Sequence, residues 1–133
     1  MLSKSDRGIW LSIYKFDAHI DWARHPMNDI EIDVSRVGER DQSGRKHWKN
    51  NCVNLRYTAT LPDRYDDRIR LLIDAIGGEA QLQALIQMHC AQDVHIMMEI
   101  PAKSSNCVED GFLSSDVLEM LSRHKIDLHF WYL

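Results

Sequence analysis

Histidine, cysteine and clustered acids are the residue types in this chain that could do chemistry. Its 133 residues include seven histidines and three cysteines. His89 and Cys90 are adjacent, with His95 close behind, and His47 lies just before Cys52. Zinc sites are usually assembled from two short-spaced ligand pairs. Neither cluster contains a CxxC or an HxxxH, so no metal ligand is assigned and no cofactor is expected. A nucleophilic role for Cys90 or Cys107 would need a recognisable partner set. The chain shows no G-x-S-x-G, no glycine-rich phosphate loop and no Cys–His family signature. Cys52 opens a predicted strand and reads as a small core residue. Asp63, Asp66 and Asp67 could be imagined as an ion-binding group, but carboxylates at a helix start are explained by the helix dipole. His25 and His124 are expected at the surface. An enzyme built on Cys90, His89 or His95 has no motif behind it, and no catalytic residue is assigned.

A locally basic stretch runs through Arg36, Arg40, Arg45, Lys46 and Lys49 and includes Trp48. Arginines on phosphate and a stacking tryptophan would suit single-stranded nucleic acid. A solvated hairpin loop is the simpler reading, because the chain as a whole carries a formal charge of −4, and nucleic-acid binders usually present a basic face.

The elements that must position these residues follow from hydrophobic period. Residues 8–16 alternate Ile9, Leu11 and Ile13 with Trp10, Ser12 and Tyr14 and predict a strand. Residues 17–28 have no clean period and predict a loop or short turn. Residues 29–37 alternate Ile30, Ile32 and Val34 with Glu31, Asp33 and Ser35. Residues 38–51 are strongly polar, a long hairpin tip or loop. Residues 52–61 form a third predicted strand that Pro62 stops. Asp63 is the predicted N-cap of a helix carrying Ile69, Leu72, Ile73 and Ile76 at helical spacing. Gly77-Gly78 ends it. A second helix covers 79–89, a strand 94–100, and a polar loop 103–111. The last helix, 115–124, is capped by Ser115 or Asp116, and a strand over 126–132 follows it. The expectation is a single α+β domain over residues 1–133. It is a two-layer, ferredoxin-like sandwich with a mixed sheet of about five strands and helices on one face. The closing strand–helix–strand should make its two strands parallel.

Period two also separates a second row of side chains, turned away from the helices. It holds Trp10, Tyr14, Glu31, Asp33, Arg56, His95, Glu99, Asp127, His129 and Trp131, with Asn54 and Met97 among them. Aromatics, methionine and arginine are enriched at protein interfaces. This face is therefore either a partner-binding surface or one covered by the 36–51 loop or by a homodimer mate.

The three cysteines are odd in number and far apart, which is not a disulfide framework. Residues 1–7 are polar, without the apolar run of an export leader, and no stretch reaches the length of a membrane span. A cytoplasmic setting without a membrane partner is the expectation.

Three segments resemble the bacterial family called domain of unknown function 4279. They are the ending GFLSSDVLEMLSRHKIDLHFWYL, the helical segment RIRLLIDAIGGEAQLQALI, and the loop-to-strand segment RVGERDQSGRKHWKNNCVNLRYTA. Residues 17–28 depart from the helix that the family often places there, and Cys52-Val53 stands where it has an aromatic. The resemblance carries over no catalytic residues. It implies a small cytoplasmic protein, some relatives resembling immunity proteins encoded beside toxins of bacterial competition. With the acidic charge and the mixed face, the expected function is a non-enzymatic immunity protein that occludes a cognate toxin domain. The alternative is a ferredoxin-like RNA- or ligand-binding module that uses the same face together with the Arg/Lys loop.

Overall fold

A computed structural model describes residues 8–14, 27–35, 44, 52–88, 93–100 and 110–132. Five strands and three helices follow in the order β1 (Ile9–Tyr14), β2 (Ile30–Ser35), β3 (Cys52–Tyr57), α1 (Tyr65–Ile76), α2 (Glu79–Met88), β4 (Asp93–Ile100), α3 (Ser115–Arg123) and β5 (Asp127–Tyr132). The basic stretch around Trp48, together with His25, His47, His89, Cys90 and Cys107, lies outside the described residues.

The strands form one open mixed sheet in the order β2-β3-β1-β4-β5. The earliest strand is thus the central one, antiparallel to both β3 and β4. β4 and β5 are parallel, as predicted, and joined through α3; the structure also makes them direct neighbours. The α+β class and the five-stranded mixed sheet match expectation, but the connectivity differs from the ferredoxin-like pattern. That pattern pairs its central strands in parallel, whereas β1 has only antiparallel neighbours here.

Alternation explains the layering. Ile9, Leu11, Ile13, Val53, Leu55, Val94, Ile96 and Met98 point to one side, where they are buried against Ile69, Leu72, Ile73, Ile76, Leu82, Leu85, Val117 and Leu121 of the helices. The helix stripes come from i, i+3, i+4 spacing, and α1, α2 and α3 are each too short to stand without this packing. Gly77 and Gly78 take φ of 123° and 94° between α1 and α2. The Gly77 N–H donates to Asp74 and that of Gly78 to Ile73, so glycine's freedom at positive φ ends α1 there.

Three local expectations are corrected. β3 stops at Tyr57 instead of reaching residue 61, because its partner β2 begins at Ile30 and the Thr58 N–H turns to the Asp29 carbonyl at 2.8 Å. The N-cap position of α1 is Arg64, without a side-chain cap, and not Asp63. The cap of α3 is Ser114, whose hydroxyl accepts from the Val117 N–H at 3.2 Å, and not Ser115 or Asp116. Asp66 explains the shift: its carboxylate accepts from the Ser114 N–H at 2.8 Å and from Arg70 at 3.0 Å. It is a buried clasp between α1 and α3, more than a dipole partner. Burial alone would raise its pKa, but the Ser114 and Arg70 bonds outweigh that and hold it below the usual carboxylate value.

Candidate functional site

The strand registers carry the outward side chains into rungs that cross the whole sheet. One rung reads Asp33, Asn54, Ser12, His95, Asp127; the next reads Glu31, Arg56, Trp10, Met97, His129. Ser35, Cys52, Tyr14 and Asp93 flank one end, and Glu99 beside Trp131 flanks the other. All ten residues assigned from sequence therefore share one face, spread over about 19 Å at the usual strand spacing. No described helix covers it.

The centre of this face is internally bonded. Ser12, fully buried, donates to the Asn54 side-chain oxygen at 2.5 Å. Arg56 reaches from β3 across β1 to Glu99 on β4, with 3.2 Å between Nη2 and Oε1. Its guanidinium lies 5.3 Å from the Trp10 ring centre. Gly8 makes this crossing available: a Cβ there would stand 2.4 Å from both Arg56 Nη2 and Glu99 Oε1. Trp10 is accordingly a half-buried floor, while Trp131 projects with 57% of its surface exposed.

Three rings stack diagonally across β1, β4 and β5. Tyr14 and His95 are 5.2 Å apart between centroids, His95 and His129 4.7 Å. Burial, then the neighbouring His129, lowers the His95 pKa against the opposing pull of Asp93 and Asp127. Burial also pushes the Tyr14 hydroxyl up to about 12, with the Cys52 thiol adding to it. The Cys52 thiol is pushed to about 11, again chiefly by burial. Cys52 thus stays protonated at neutral pH and lacks the thiolate that nucleophilic work requires.

Charge on the face is one-sided. Among the described residues, Glu31, Asp33, Asp93, Glu99 and Asp127 stand against one lysine or arginine on this face, Arg56, itself bound to Glu99. Glu31 and Asp33 have no ion-pair partner among the described residues. They border a depression of about 180 Å³ with Trp10, Asn54 and Arg56. Among the described residues no group of three His, Cys, Asp or Glu side chains could hold a metal ion.

Sequence reasoning missed a second concavity, about 430 Å³, between the helices, where Arg70, Asp74, Glu79, Asp116 and Arg123 surround Ile73 and Val117. On its α1 wall, Arg70 and Asp74 stand at i, i+4 spacing, a relation legible in the sequence; the other walls come from α2 and α3. His124, expected at the surface, instead has a side chain only 4% exposed, with Nε2 2.7 Å from Glu79 Oε1. That bond first, and then Arg123 at 3.1 Å, holds the Glu79 pKa down against a burial effect of opposite sign.

Searches of protein families, curated proteins and solved structures find no match to this chain.

Proposed function

We propose that this chain is a non-enzymatic binding protein, most concretely a cytoplasmic immunity protein, which uses the open sheet face to occlude a toxin domain with a basic rim. The observation that carries the reading is the acidic, aromatic face spanning all five strands opposite the helix layer. Its carboxylates at Glu31, Asp33, Asp93 and Asp127 surround a rigid, already bonded centre, so little ordering is needed on binding. Exposed Trp131 supplies an anchor of the kind that dominates interface energies. Complementary charge would speed encounter and set partner choice. An RNA-binding reading would draw on phosphate-binding cations; the basic stretch that would supply most of them lies outside the described residues, and on the face itself Arg56 is engaged by Glu99.

The test is co-purification with the C-terminal domain of a large secreted protein encoded directly upstream of the gene. The expected result is a complex at micromolar concentration whose association slows with salt. A Trp131→Ala, Asp127→Asn double variant should weaken it at least about tenfold. No complex at micromolar concentration sinks the proposal.

A further inference from the structure

We propose that two copies of this chain pair antiparallel through the outer edge of β5, giving a continuous ten-stranded sheet with every helix on one side. The two edges of the sheet, β2 and β5, differ in their fitness for this. On self-pairing, β2 would bring the carboxylates of Glu31 and Asp33 toward their own copies, and like charges across strands destabilise. β5 has the sequence DLHFWY, with one charge, at its first position, and no proline or lysine. Its register with β4 runs unbroken over six pairs, without a bulge. Edges normally carry guards against pairing, such as charges, proline or a bulge; within the strand itself this one has none but Asp127. Among the described residues nothing pairs with its outer side.

Exposed apolar surface gathers at the same edge. Four large apolar side chains stand exposed among the described residues: Phe112 at 48%, Leu118 at 48%, Phe130 at 38% and Trp131 at 57%. The Phe112 ring lies under the Arg64 guanidinium, 4.2 Å away. The Phe130 ring tilts against that of Tyr65, 5.9 Å away between centroids, on its helix side, and together with Leu118 and Trp131 it flanks the β5 edge. Asp116, Glu119, Met120 and Arg123 turn one flank of α3 toward the groove with α1, and Val117 and Leu121 face the core. Helical geometry then places Leu118 on the opposite flank, toward the free edge. A pairing that keeps both helix layers on one side matches residues of like parity, centred on His129 or on Phe130. The register centred on His129 sets Leu128 of each copy opposite Phe130 of the other, and the one centred on Phe130 sets the two Phe130 side chains opposite each other, in both cases on the side of Leu118. Both registers also leave the open face uncovered and double its length.

Sedimentation equilibrium of the whole chain, from micromolar to sub-millimolar concentration, tests this. The expected mass is twice the 15.5 kDa of one chain. Leu118→Glu and Trp131→Lys, both at exposed positions, should each return it to one chain. Glu119→Lys, on the groove flank of the same helix, should leave it at two. Circular dichroism establishes that each variant is folded. Should any fail to fold, hydrogen exchange of the wild-type chain replaces it, and the outward amides of β5 should gain protection as concentration rises. A wild-type monomer throughout, open-ended aggregates, a dimer unmoved by Leu118→Glu, or exchange at β5 independent of concentration would overturn the proposal. Leu118 lies on the helix side of the sheet. Its variant therefore separates loss of the dimer from loss of toxin binding on the open face.

Discussion

Single residues on the open face act through their neighbours. Gly8 is the clearest case, because it clears the path of the Arg56–Glu99 bridge. In Gly8→Ala the flexible ends of Arg56 and Glu99 can move aside, so the backbone should survive while the bridge opens. The expected cost is about 1 kcal/mol or less, since Arg56 is partly solvated. In a double-mutant cycle by urea unfolding, Glu99→Gln should cost less in the Gly8→Ala background than alone. His95 gives a prediction in pH. Its folded pKa lies below the unfolded value of about 6.5. Between those two values the unfolded chain binds a proton that the folded chain refuses, so stability falls as pH drops below about 6.5 and levels off under the folded pKa. Melting curves from pH 7.5 to 5 should show that fall, and His95→Gln should flatten it. An equal fall in both proteins would assign it to other groups near the stack.

Among the elements, α3 shows how much of a short helix is held from outside. Ser114 caps it, Asp66 of α1 grips that cap, and His124 at its end binds Glu79 of α2. Its apolar stripe is Val117 and Leu121, at 1% and 4% exposure. Leu121→Ala should therefore destabilise the protein by roughly 2–5 kcal/mol in chemical denaturation, with the slope of the transition unchanged. Element type was legible in the sequence wherever the period was clean. The five strands, three helices and the outward row of all ten assigned residues follow from alternation and i, i+4 spacing. Caps and ends were less so. Ser114, Ser115 and Asp116 are all good cap residues, and only the grip of Asp66, from a segment far away in the chain, selects Ser114. His124 looked exposed for the same reason: its cover comes from a different helix.

The whole molecule is where the sequence reads least. Alternation tells which side chains share a face, but nothing local says that β1 lies between β3 and β4 or that Asp33 and Asp127 close the two ends of one rung. The ferredoxin-like expectation failed at this level, since strand order is a property of long-range pairing. Central placement of β1 has a kinetic consequence. Ile9 must find Met98, so the middle of the sheet cannot close until most of the chain has been synthesised. Such distant pairing makes for slow folding. During that wait the earliest-made strand, apolar on its core side, has one edge without its native neighbour. A growing chain on the ribosome would in that interval depend on chaperones, or on β3 alone, to keep this strand from pairing with a neighbour's.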